Sequence, residues 1–119
     1  MVLNIEERRR RRDQRKRLLE EKCQLIVEQL ESMGALKIVL FGSYASGAVG
    51  LWSDLDLIVI MPDTKSGREW MKKIYEEVER GVAADVLAYT EKELEETLPV
   101  SSFLRHALKT GRVIYEKRP

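Results

Sequence analysis

The chain has 119 residues and a net charge of +1, which suits one domain with a modest core and leaves little room for a second. Apolar residues make up 44% and charged residues 34%, the balance of a folded globular protein and not of a disordered one. The single cysteine, Cys23, excludes an internal disulfide and the multi-cysteine zinc sites, and points to a reducing, cytoplasmic compartment.

The longest apolar stretches, such as Leu55 to Met61, fall far short of the roughly 20 residues that span a bilayer, and the arginine-rich start lacks the apolar segment of a secretory signal. Charge is unevenly spread. Residues 1–17 hold eight Lys/Arg against three acids, a net +5, while residues 18–119 hold thirteen against seventeen, a net −4. The expectation is a basic arm over 1–17 that continues into the first helix, followed by a domain over 18–119.

From Glu6 to Arg17 nearly every residue is charged, and Leu19, Cys23, Ile26, Leu30 and Met33 follow at spacings of three or four, which predicts one long amphipathic helix. Gly34 supplies the left-handed residue that closes it. Lys37 to Phe41 is a short β-branched and apolar run that breaks at Gly42, and so a buried strand. Residues 42–53, with three glycines and three serines, read as a loop holding one short helix. Asp54 to Ile60 begins in strict alternation and ends apolar, a strand stopped by Pro62. Ser66-Gly-Arg-Glu69 has the form of a capping box, and Trp70, Ile74, Tyr75 and Val78 share one face of the helix that follows, which Gly81 is expected to end. Val82 to Tyr89 predicts a third strand with Asp85 as its one acid. Thr90-Glu-Lys-Glu93 is a second capping box, opening a short helix before Pro99. A further helix fits Ser102 to Lys109, with Gly111 as its stop and Val113 to Tyr115 as a last strand. Strands alternating with helices in this way predict an α/β (α+β) fold, a small mixed sheet flanked by helices.

Asp54 and Asp56 are two apart on one strand, so both side chains leave the same face and can converge on a cation. A hard divalent ion such as magnesium takes one or two protein carboxylates and keeps waters and substrate phosphates for its other positions. Asp85 is the third carboxylate; an ionised acid in an apolar strand costs several kcal/mol unless something pairs with it, and a nearby metal would remove that cost. Three carboxylates suffice to hold two ions, or one ion with a base left to activate an attacking hydroxyl. Gly42 and Ser43 enter a turn where backbone N–H groups and the serine hydroxyl can meet a phosphate. The ten residues between Ser43 and Asp54 are long enough to fold those donors back toward the carboxylates.

Leu-Phe-Gly-Ser-Tyr-Ala-Ser-Gly, then Asp-Leu-Asp-Leu-Ile-Val, then an isolated strand aspartate, together resemble the minimal nucleotidyltransferases of the DNA polymerase β superfamily over about residues 36–116. The resemblance implies a polymerase β-like fold, with Gly42 and Ser43 on the triphosphate and Asp54, Asp56 and Asp85 as catalytic, metal-binding residues for Mg2+, with Mn2+ as a substitute. It also implies transfer of AMP from ATP to a hydroxyl. Proteins of this size in the family resemble the antitoxin half of a two-gene pair whose partner is a HEPN ribonuclease toxin, and the implied acceptor is then a tyrosine of that toxin. This chain departs from the family at Ser46, where many members carry an arginine; a phosphate or acceptor contact is lost with it, but not the metal site.

Two other functions fit less well. A binding module that neutralises its partner by contact alone is at odds with three retained aspartates, although Ser46 favours it. A transferase acting on a small molecule would ordinarily carry an extra helical domain for its acceptor. The Arg8 to Arg12 run neutralises phosphates in many nucleic-acid binders, but with no aromatic residue for base stacking it reads rather as a solvated or partner-docking arm. His106, the one histidine, has no partner for a metal cluster and reads as a structural or surface residue. Trp52 suits base stacking and core packing equally, and Cys23 reads as a small core residue.

Overall fold

The computed structural model describes residues 4–42 and 55–118. Helix α1 runs Ile5–Ser32, and Asn4 caps it by accepting the Glu7 N–H at 2.8 Å. Glu6 and Glu7 sit in its first turn, where acids complement the positive end of the helix dipole. Met33 is the C-cap and Gly34 follows at φ +104°, the left-handed turn that releases the chain into strand β1, Lys37–Phe41.

Strand β2 is Leu55–Ile60, helix α2 Gly67–Glu77, strand β3 Ala84–Tyr89 and helix α3 Glu91–Thr97. A 3₁₀ turn over Leu98–Val100 leads to helix α4, Ser102–Thr110, and strand β4, Arg112–Glu116. The sheet order is β3-β2-β1-β4. Strand β1 is antiparallel to both β2 and β4, whereas β2 and β3 are parallel and joined through α2, so the sheet is mixed as the sequence predicts.

Helices α1 and α2 cover one face. Leu19, Ile26 and Leu30 of α1 and Trp70 and Ile74 of α2 pack there on Ile38, Leu40, Leu55, Leu57, Val59 and Val86 of the strands. The Trp70 indole N–H, buried with its ring, donates to the Pro62 carbonyl at 2.8 Å, so no polar group is stranded. The opposite face carries a smaller cluster, Val39, Phe41 and Ile58 under Leu104 and Ala107 of α4. Cys23 packs against the larger core, and burial pushes its thiol pKa up, with the Arg112 charge opposing.

Both capping boxes form. Glu93 also reaches beyond its own helix: its carboxylate accepts the N–H groups of Thr90 and Gly67, each at 2.9 Å, and so ties the starts of α2 and α3 together. The Thr90 N–H, more than any other cause, holds its carboxyl below the usual carboxylate range.

The end of α2 and the burial of Tyr75 differ from expectation. Helix α2 stops at Glu77 and not at Gly81, because Val78 turns to extended backbone with its side chain buried in the core. Gly81, at φ +70°, serves instead in the turn that leads to β3. Tyr75, expected on the apolar face of α2, is 41% exposed, and the Arg80 guanidinium lies over its ring at 4.6 Å.

Residues 4–18 are all exposed, and Leu19 is the first buried residue of α1. At helical spacing, Arg8, Arg11, Arg12 and Arg15 lie on the line that Leu19, Ile26 and Leu30 continue into the core. Lys22 lies against Gly81, and the Arg112 charge acts on Cys23. The exposed turns therefore leave the body at the end of the sheet where β1 stops and β2 and β3 begin, and they extend about 20 Å beyond it at 1.5 Å per residue. The molecule is accordingly long, 52 × 29 × 26 Å. Among the described residues no helix is long and apolar enough to cross a membrane.

Candidate active site

Strand pairing sets the site. Phe41 of β1 faces Asp56 of β2, and Asp56 in turn faces Asp85 of β3. Residues directly opposite on neighbouring strands project from the same face, and adjacent strands lie about 4.8 Å apart, so the two carboxylates stand side by side within reach of one cation. Their neighbours at alternate positions, Ile58 and Leu87, belong to the smaller apolar cluster. The carboxylates therefore occupy the thinly covered face at its open end, while Leu55 and Leu57 anchor the strand on the other side.

Gly42 ends β1 at φ +78°, and a Cβ at this position would run into the Asp56 carboxylate. The sequence assigns this glycine to the close approach of a phosphate; in the fold the Asp56 carboxyl also approaches it closely enough to exclude a side chain. Both a backbone that only glycine adopts freely and the absence of a Cβ are required here.

Asp85 does not have the surroundings expected of it. Among the described strands β3 is the sheet edge, and Asp85 is exposed there instead of buried in apolar surroundings. Its place beside Asp56 rests on register. Of the five candidate residues the structure brings together Gly42, Asp56 and Asp85; Ser43 and Asp54 lie outside the described residues, as do Ser46 and Trp52. Among the described residues no group of three or more His, Cys, Asp or Glu gathers as a metal site. His106 is exposed on α4, and its carbonyl accepts the Thr110 hydroxyl.

The donor set suits a hard divalent cation. Asp56 and Asp85 offer only oxygen, are adjacent, and include one exposed carboxylate that leaves room for water or phosphate in the remaining positions.

One neighbour of the site carries almost no mark in the sequence. The ring of Phe103, in the first turn of α4, meets Phe41 edge-on, with centroids 5.7 Å apart and planes at 77°. Its only local signal is the spacing of four to Ala107 on the apolar side of α4, and nothing in the sequence ties it to Phe41, far earlier in the chain.

The family model for the nucleotidyltransferase domain matches residues 6–110. No curated protein and no solved structure matches the chain. Members of this family generally use divalent metals, in keeping with the oxygen donors at Asp56 and Asp85. A match over most of the chain, together with paired carboxylates on a mixed sheet, means that this protein belongs to the nucleotidyltransferase domain family and is a transferase of nucleotidyl groups.

Proposed function

We propose that the protein transfers AMP from ATP to a tyrosine hydroxyl of a partner HEPN ribonuclease toxin and so acts as its antitoxin. The observation that carries the chemical part is the register pair Asp56 and Asp85 beside Gly42, within a chain matched to nucleotidyl transfer. The acceptor oxygen attacks the α-phosphorus of ATP in line, the bond to the β-phosphate oxygen breaks, and pyrophosphate leaves. Asp54, Asp56 and Asp85 would hold Mg2+, with the exposed Asp85 also taking the acceptor proton and passing it to water. Magnesium, when bound, neutralises the triphosphate and stabilises the charge that develops on the attacking and leaving oxygens. Gly42 and Ser43 hold the phosphates through backbone N–H groups and the serine hydroxyl.

ATP is expected to bind only together with Mg2+ or Mn2+, because clustered carboxylates repel a triphosphate until a cation intervenes. Calorimetry with the metal and then with EDTA checks this. Equal affinity in both would remove the metal from the site.

The acceptor is tested separately. Incubation with the product of the adjacent gene and ATP labelled at the α-phosphate should mark that product, and mass spectrometry should find AMP on a tyrosine. Residues 1–17, a basic arm ahead of the catalytic domain at 18–119, supply a docking element for an acidic face of the partner. Deleting them should weaken the complex, by less at high salt, and leave ATP binding intact. An unlabelled neighbour with RNA or a small molecule modified instead would overturn the toxin as acceptor; a neighbour inactivated without label would favour inhibition by contact.

A further inference from the structure

We propose that the ring of Phe103 is the platform on which the base of the bound nucleotide stacks, an assignment that rests on nucleotidyl transfer at Asp56 and Asp85. Phe103 is 53% exposed, a large apolar surface left open at the first turn of α4. Phe41, which it touches edge-on, is the register partner of Asp56 and projects from the carboxylates' face. Adding one strand spacing to the 5.7 Å between ring centroids places the exposed ring on the order of 10 Å from Asp56, with Asp85 one strand further on. A metal ion on the carboxylate, the α-phosphate it holds and the ribose together cover a separation of this order before the base begins.

The ring is also held in place. Ser101 caps α4 by accepting the Leu104 N–H at 3.1 Å, and the Arg105 guanidinium donates to the carbonyls of Leu98 and Pro99 at 2.7 and 3.0 Å, which fixes the corner carrying Phe103. A platform already ordered loses little entropy when a base settles on it. Among the described residues Phe103 is the exposed aromatic on this face; Tyr75 lies on α2, across the sheet. Every base has a π-face, so stacking here supplies affinity with little choice of base, and choice between bases must come from polar contacts elsewhere.

Calorimetry with Mg-ATP on wild type, Phe103→Ala, Phe103→Leu and Phe103→Trp tests the assignment, with tripolyphosphate as a ligand that has no base. Phe103→Ala and Phe103→Leu should weaken ATP binding about tenfold, within the range for losing one stacked base. Phe103→Trp should keep it, and all four proteins should bind tripolyphosphate alike. Phe103→Leu retains apolar packing on Phe41, so its loss of ATP affinity would not stem from a damaged fold, which circular dichroism and thermal melting verify. ATP affinity unchanged in Phe103→Leu, with transfer to the acceptor impaired, would overturn the platform and make Phe103 an acceptor contact. An equal loss of tripolyphosphate would likewise overturn it, by making the effect a collapse of the whole site. A wild-type protein that binds tripolyphosphate and no nucleotide would overturn the platform alone, whereas one that binds neither would overturn the transferase site as well.

Discussion

Replacing Asp54 and Asp56 together by asparagine should abolish nucleotidyl transfer while the domain stays folded. Asparagine keeps the shape of each side chain but removes the charge that holds a divalent cation. The loss should exceed the roughly 10- to 100-fold that follows when only an outer partner of a metal ligand is removed. Stability should not fall with activity, because Asp56 and Asp85 are like charges on directly opposed residues, an arrangement that is destabilising in a sheet. Thermal melting and a transfer assay on the same preparation decide the matter. A double variant that transfers at the wild-type rate would mean that the chemistry lies elsewhere.

Gly42→Ala should damage both stability and binding. At φ +78° an alanine is strained, and its Cβ would collide with the Asp56 carboxylate. Strain of this kind costs more than about 1 kcal/mol, which lowers the melting temperature of a domain this size by roughly 4 °C or more. The larger effect is on the site, since the carboxylate must move to make room, and Mg-ATP affinity should fall at least about tenfold. Phe41 sits one residue earlier in ordinary strand backbone, so a variant at the next position with wild-type affinity would show that Asp56 does not depend on this contact.

Much of this site is local enough to read from the chain alone. The two capping boxes are contiguous tetrapeptides, and both form, since a Ser or Thr followed at the third position by Glu needs nothing beyond its own turn. Strand β1 has its expected bounds because a β-branched run between two glycines has few alternatives. What the sequence conceals is lateral. An edge strand and a central strand can carry the same pattern, so Asp85 reads as buried although, among the described strands, β3 pairs on one side only. Gly42 reads as a turn residue, but the partner that requires it, Asp56, depends on how β1 and β2 align. The Phe41 and Phe103 contact joins positions brought together only when α4 folds over the second face of the sheet. Val78 could extend the apolar stripe of α2, yet it leaves the helix, because the chain must turn there to enter β3.

The strand order also governs how the protein emerges from the ribosome. The three strands that carry Phe41, Asp56 and Asp85 are complete once Tyr89 has been made, but β1 remains an open edge until β4, the last strand, pairs along it. During that interval a nearly wholly buried strand, Lys37–Phe41, offers unsatisfied N–H and C=O groups to any other nascent chain. Loss of β4, whether by a premature stop or by proteolysis after Gly111, should therefore show itself first as aggregation and only secondarily as lost transfer. The charged ends of β4, Arg112 and Glu116, then mark the outer rim of the finished sheet and discourage the next strand from adding.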